Sequence, residues 1–266
     1  MGYVVELFIV LAVASAAVLF DTIDARGFLA SVAVGLAIIY GGGIRWFIVV
    51  AVFFILGVVF TLYRYGYKKA LGGAQDKGGA RNWPNIIANG GVSSVIAAAS
   101  FFSSSPLLAV LFLGAVSGSA ADTAATEVGL LSRMAPRLIT DPMKTVRPGT
   151  SGGVSPLGFL GAGFAAGVIG TIALALGVGP GGWLVVFVCF LSGLVGAVFD
   201  SILGAAVQRT GFCRVCLKPS EALRHCGEPT RMNAGSRFIE NNVVNLAATG
   251  VGALAAVAAF SLLSVA

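Results

Sequence analysis

Charge is scarce in this chain. Only 11% of its 266 residues are Asp, Glu, Lys or Arg, while 57% are hydrophobic and the mean hydropathy is +0.94. Soluble domains carry about 25% charged residues, so that class is excluded and a polytopic membrane protein remains. Histidine occurs once, at His225, which leaves no Ser–His or Cys–His arrangement for acyl transfer elsewhere in the chain. No G-x-x-x-x-G-K-[ST] run occurs either, which excludes a Walker A loop. The four cysteines do not make a disulfide framework. Cys189 lies inside an apolar run and reads as a small buried hydrophobe.

What the chain does have is apolar runs of the length that crosses a bilayer, about 20 residues each. They fall at 3–20, 28–41, 44–63, 85–102, 106–131, 154–177, 183–206 and 238–264. The expected fold is therefore an all-α polytopic bundle of about eight transmembrane helices, with residues 1–266 forming a single transmembrane domain. The first run has no basic leader and reads as a retained anchor. Threading these runs through a membrane leaves nearly all the Lys and Arg in three loops, 64–84, 132–153 and 207–237, all on one side; Arg45 and Glu6 alone fall opposite. The positive-inside rule makes the charged side cytoplasmic and puts both termini outside, in a multi-pass cell-membrane protein. The net charge of +6 then follows from topology, with the bilayer as partner and no nucleic acid required.

The 37 glycines, with many Ala and Ser, are distributed through the runs, as close helix packing in lipid requires. Gly90-Gly91-Val92-Ser93 is echoed by Gly152-Gly153-Val154-Ser155. Ser117-Gly118 followed by Asp122 is echoed by Ser192-Gly193 followed by Asp200. These echoes suggest a parallel internal repeat.

Chemistry concentrates at the charged face. Asp122 and Asp200 stand in apolar helix, where a carboxylate costs roughly 2.5–3.5 kcal/mol and persists when it faces a cavity, metal or cation. Glu127 lies one turn further along, 140° round from Asp122, with Arg133 as an alternative partner. Lys144 and Arg147 lead into Gly149-Thr150-Ser151-Gly152-Gly153, just before a helix start, which has the makings of a phosphate cradle. Arg81 and Asn82 precede another helix, in which Asn85 and Asn89 share a face. Asn241 and Asn245 share a face of the last one. Carboxylates, amides, cations and Gly-rich loops suit Mg²⁺-dependent phosphoryl or nucleotidyl transfer.

The 207–237 loop is a Cys-rich unit: Cys213-x-x-Cys216, then His225-Cys226. This set reads as a structural zinc knuckle, although an adjacent final pair is unusual because neighbouring residues rarely both reach one ion. Reduced or redox-active thiols are the second reading.

Together, Arg81-Asn82 with Ala88-Asn89-Gly90, Asp122-Thr-Ala-Ala-Thr-Glu127-Val-Gly129, Arg147-Pro-Gly-Thr-Ser-Gly-Gly-Val-Ser155, Asp200-Ser-Ile-Leu-Gly-Ala205, Cys213-x-x-Cys216…His225-Cys226-Gly227 and Asn241-Asn242-Val-Val-Asn245 resemble the integral membrane family called domain of unknown function ninety-two. That family includes the plant phytyl-phosphate kinase and bacterial and archaeal relatives. The resemblance covers roughly residues 20–255. It implies transfer of the γ-phosphate of CTP or ATP to an isoprenyl monophosphate such as phytyl or geranylgeranyl phosphate. In that scheme Asp122, Glu127 and Asp200 hold Mg²⁺, and Arg81, Lys144, Arg147 and the Gly149–Gly153 backbone neutralise phosphate. Asn82, Asn89, Asn241 and Asn245 orient phosphate or metal-bound water. Asn85 and Asn242 depart from the family pattern, which has Gln and Asp there. A transporter or flippase of an anionic solute and a CDP-lipid-forming nucleotidyltransferase are the alternative functions.

Overall fold

The computed structural model describes residues 2–73, 77–216, 219–220 and 223–264. The helices are α1 (Gly2–Leu19), α2 (Ala25–Leu62), α3 (Tyr65–Ala70), α4 (Trp83–Phe102), α5 (Pro106–Gly129), α6 (Pro156–Leu176), α7 (Leu184–Ala206) and α8 (Asn241–Leu263). Six of them, α2 and α4 to α8, are long and apolar enough to cross a membrane. The fold is all-α and polytopic, as expected.

The expected runs 28–41 and 44–63 are the two arms of α2. Gly43 breaks the helix with φ 78° and ψ 179°. The chain folds back there: Gly27 and Gly57, thirty positions apart, both lie against Arg81. A straight helix would hold those two glycines about 45 Å apart. With α1, the apolar segments match the eight runs read from the sequence to within three residues at nearly every end.

Local chemistry sets the helix starts at the charged face. Asp24, Asn82 and Ser155 cap α2, α4 and α6 by accepting from the backbone N–H of Gly27, Asn85 and Gly158 at 2.8, 3.1 and 3.1 Å. Pro84 and Pro156 follow in the first turn, where a missing N–H costs nothing.

The two larger charged loops hold short strands, which the sequence reading left as loop. One three-stranded antiparallel sheet has the order β2 (Asp141–Thr145), β1 (Arg137–Leu138), β3 (Gly153–Val154). In the 207–237 loop, β5 (Pro219–Ser220), β4 (Thr210–Phe212) and β8 (Arg231–Ala234) form a second, beside a hairpin of β6 (Arg224–His225) and β7 (Glu228–Pro229). Strands of two to five residues carry too little alternation to be read from a sequence.

Helix α5 is the centre of the bundle, packed against α2, α4, α6, α7 and α8. Every residue from Phe112 to Ala121 is buried. It meets α7 and α8 without side chains intervening. A Cβ on Gly252 would stand 2.8 Å from the Gly114 carbonyl, and one on Gly196 would stand 3.0 Å from the Gly118 Cα. This approach carries Asp122 of α5 and Asp200 of α7 to matching depths near the charged face. The paired Gly-Gly-Val-Ser motifs occupy different settings: 90–93 lies inside α4, whereas 152–155 leads into α6.

A buried ion pair ties this centre to α2 and α3. Lys68 of α3 is 0% exposed and its Nζ donates to Glu127 Oε2 at 2.5 Å, and to the carbonyls of Phe60 and Thr61 at 2.6 and 2.9 Å. Thr61 Oγ1 donates to Glu127 Oε1 at 3.2 Å. Every donor of the ammonium group thus has an acceptor, which a buried charge requires.

Gly252→Leu should force α5 and α8 apart and cost about 1–3 kcal/mol or more, read as a lowered melting temperature in detergent. Gly250→Ala, whose Cβ meets nothing within 4 Å, should be neutral or stabilising. Glu127→Gln leaves the Lys68 charge buried without its counter-ion and should cost about 3–5 kcal/mol, measured by the same melt. A Lys68→Met and Glu127→Leu double variant should recover much of that loss.

Candidate active site

At the charged face a cavity of ≈ 150 Å³ opens between the ends of α5, α6 and α7 and the 148–155 loop. Its small-residue walls, including Ala125, Gly129, Gly158, Ala162 and Ala197, leave the space. Asp122 and Asp200 line it together and their carboxyl groups are hydrogen-bond neighbours. Asn245, buried on α8, joins them. With its amide turned so that nitrogen donates, it reaches Asp200 Oδ2 at 3.2 Å and the Asn241 carbonyl at 2.9 Å. Asn241 itself lines the cavity.

The Gly-rich loop forms the opposite wall from Pro148 to Ser155. Gly152, at φ 74°, is pinned against α7: a Cβ there would fall 2.7 Å from both the Ser201 carbonyl and the Ala205 nitrogen. Ser201, next to Asp200, and Gly152 therefore share one side of the cavity. Two of the loop's N–H groups serve its own turns, Thr150 donating to the Arg147 carbonyl at 3.1 Å and Gly153 to the Thr150 carbonyl at 2.9 Å. The backbone cradle read from the sequence is narrower by those two donors.

Several expected residues stand elsewhere. Lys144 and Arg147 are exposed on the 132–153 loop, outside the cavity lining. Glu127 does not join the aspartates, because Lys68 and Thr61 occupy its oxygens. Asn82 is spent capping α4. Arg81 is 8% exposed and faces a second cavity between α1, α2 and α4, together with Asn85 and Asn89. Burial lowers its pKa to about 10, an effect the Glu127 charge opposes, so it remains a cation at neutral pH.

The two cavities share no lining residue, and buried polar groups of α5 and α8 run from Asn89 beside the second to Asn245 beside the first. Ser119 Oγ donates to the Asn89 carbonyl at 2.9 Å and lies 2.9 Å from Thr249 Oγ1, which donates to the Asn245 carbonyl at 2.7 Å. Sequence reading missed Ser119, Thr249 and Gln208. The first two resemble ordinary small helix residues, and Gln208 looks like the start of a loop although it is buried and lines the cavity. Lys68 was also missed, since a lysine in a basic loop reads as a topological charge.

The cysteine loop forms a compact ligand set. Cys213 Sγ, Cys216 Sγ, Cys226 Sγ and a His225 ring nitrogen all lie within 4.8 Å of one another. His225 Nδ1 is 3.4 Å from Cys216 Sγ and 3.2 Å from Cys226 Sγ. Those are close to the edges of a tetrahedron around an ion with Zn–S of about 2.3 Å and Zn–N of about 2.0–2.1 Å. The adjacent His225 and Cys226 reach one point because Cys226 and Gly227, at φ 53° and 81°, form the two-residue turn between β6 and β7. The Cys213 thiol is lowered to about 6, chiefly by a backbone hydrogen bond from Cys216, while Cys226 is pushed up to about 11, chiefly by its neighbour Cys216. The loop is tied to the cavity: Ser236 N–H donates to the Val207 carbonyl at 2.9 Å and Arg209 N–H to the Ile239 carbonyl at 2.8 Å. These bonds flank Gln208 on both sides.

No solved structure matches this chain. It is similar to Protein PGR of Arabidopsis thaliana, 30% identical over 229 residues that cover 77% of this chain and 78% of that protein. An uncharacterised membrane protein of Methanocaldococcus jannaschii is 30% identical over 71% of this chain and 76% of its own length. One from Synechocystis is 31% identical over 62% and 64%. The model of the integral membrane protein family DUF92 matches residues 8–253. With that match over nearly its whole length, the chain belongs to the DUF92 family of integral membrane proteins.

Proposed function

We propose that this protein transfers the γ-phosphate of CTP or ATP to a membrane-embedded isoprenyl monophosphate at the cytoplasmic face. The observation that carries this reading is the Asp122–Asp200 pair, held in contact at the end of a cavity walled by a Gly-rich loop. Two carboxyl groups in contact in a half-buried site call for a proton or a cation between them. Their hard oxygen donors, with the amides of Asn241 and Asn245 beside them, fit Mg²⁺. When bound there, Mg²⁺ would neutralise charge on the donor phosphates. Asp122 and Asp200 would hold it, and Asn245 would fix the Asp200 carboxylate. Lys144 and Arg147 would meet the phosphates at the rim, and Thr150 and Ser151 would offer hydroxyl donors. An acceptor phosphate oxygen attacks the γ-phosphorus, the new P–O bond forms in line, and the bond to the β-phosphate oxygen breaks to release the nucleoside diphosphate. The attacking oxygen is already anionic, so the absence of a histidine base is no obstacle.

A transporter needs a polar path to the opposite face. Beyond Asp122, α5, α7 and α8 meet glycine to glycine and then through Val110, Val188 and Ala256, which favours an enzyme working at one face. Incubating the protein in nanodiscs with geranylgeranyl or phytyl phosphate, Mg²⁺ and γ-labelled CTP or ATP should yield labelled isoprenyl diphosphate. Asp122→Asn and Asp200→Asn should each lower the rate by about 10²–10³-fold. A CDP-lipid product would assign nucleotidyl transfer instead, and no turnover with any of these pairs would count against the reading.

We also infer that Cys213, Cys216, His225 and Cys226 hold a structural zinc ion, which would let a loop with little apolar core of its own keep one shape. Cys213→Ser should remove about one zinc per chain and expose the 207–237 loop to protease, with the helices still inserted. Zinc-free protein from a chelator-free preparation, with all three loop thiols freely alkylated, would contradict the inference.

A further inference from the structure

The second cavity, ≈ 200 Å³ between α1, the two arms of α2 and α4, has no role in the proposed reaction. Its lining is almost entirely apolar: Val10, Val34, Phe47, Phe53, Phe54 and Ile86 are among its walls. Arg81, Asn85 and Asn89 stand at the end nearest the charged face, whereas Val10 and Phe47 carry the cavity toward the middle of the membrane.

Arg81 is out of place in such a wall. It is more than nine-tenths buried, and its guanidinium lies over the rings of Phe53 and Phe54 at 5.7 and 5.3 Å from their centroids. Among the described residues the guanidinium makes no hydrogen bond, while its backbone is bonded to Thr22 and Asp24. Glu127 is the anion whose field it feels, but that carboxylate is already taken by Lys68 and Thr61. Lys68, Arg81 and Glu127 therefore make a buried cluster with two positive charges and one negative. A buried cation with unused donors is costly unless an anion completes it.

We propose that this cavity binds a single-chain anionic amphiphile, with its phosphate or carboxylate head on Arg81 and Asn85 and its chain running inward along α1 and α2. The orientation is that of a lipid of the leaflet at the charged face. The planar fork of Arg81 suits a two-oxygen head. The aromatic faces of Phe53 and Phe54 hold the guanidinium in place before the ligand arrives. Because this cavity shares no lining residue with the one that contains Asp122 and Asp200, the site is a second one, and it stands whether or not the proposed transfer reaction is correct.

The test uses the protein in phosphatidylcholine nanodiscs with dodecyl phosphate, dodecanol and inorganic phosphate as probes, reading the melting temperature against probe concentration. Dodecyl phosphate should stabilise the wild type saturably, and the other two should do so far less. Arg81→Gln should weaken dodecyl phosphate by about 10- to 100-fold, as loss of a charged hydrogen-bonding group does. Arg81→Lys should keep part of the preference, which separates charge from folding. Ala51→Phe, which puts a ring into the cavity from its α2 wall, should weaken dodecyl phosphate as well. An Asp122→Asn and Asp200→Asn double variant should bind it unchanged. Equal stabilisation by dodecanol, undiminished binding in Arg81→Gln, or loss of binding in the aspartate double variant would each overturn the proposal.

Discussion

The near-contact of α5, α7 and α8 through glycine is what the rest of the molecule depends on. In lipid no hydrophobic force draws helices together, so backbone proximity and dispersion have to do it. Gly114, Gly118, Gly196 and Gly252 remove the side chains that would hold the three helices at ordinary spacing. The consequence is chemical as well as mechanical. Only when α5 and α7 are this close do the carboxyl groups of Asp122 and Asp200 meet. Only when α8 shares the seam does Asn245 reach them.

Charge at membrane depth is handled in two ways. Glu127 and Lys68 neutralise one another inside a cage of backbone carbonyls, a solution complete within the chain. Asp122 and Asp200 present two acids to one another at a cavity mouth, and Arg81 presents a cation to an apolar hollow. The contrast separates groups that serve the fold from groups that await something else. It also explains why Glu127, close in sequence to Asp122, is not its partner: the 140° between them turns one toward α7 and the other toward α2 and α3.

Apolar run length read the helices well, including the turn between residues 41 and 44, because lipid imposes one requirement on every span and Gly43 satisfies it locally. The carboxylate pair was legible for a related reason, since an acid in apolar helix has few innocent explanations. The strands of the charged loops were not legible, because in water a two-residue strand is selected by its neighbours rather than by its own pattern. The separation of Arg81 from the aspartates was not legible either. Both lie at the charged face, but sequence gives depth and not position around the bundle. For the cysteine loop, the adjacency of His225 and Cys226 looked unfavourable until the left-handed turn at Cys226-Gly227 supplied the missing geometry.

The central claim is that Asp122 and Asp200 jointly hold a divalent cation for a phosphorylated donor. Electron paramagnetic resonance of Mn²⁺, titrated against the protein in nanodiscs with and without nucleotide, tests it directly. The account predicts a protein-bound Mn²⁺ signal that strengthens with nucleotide and is lost in both Asp122→Asn and Asp200→Asn, while Glu127→Gln retains it. Bound Mn²⁺ unchanged in a variant lacking both aspartates would contradict it.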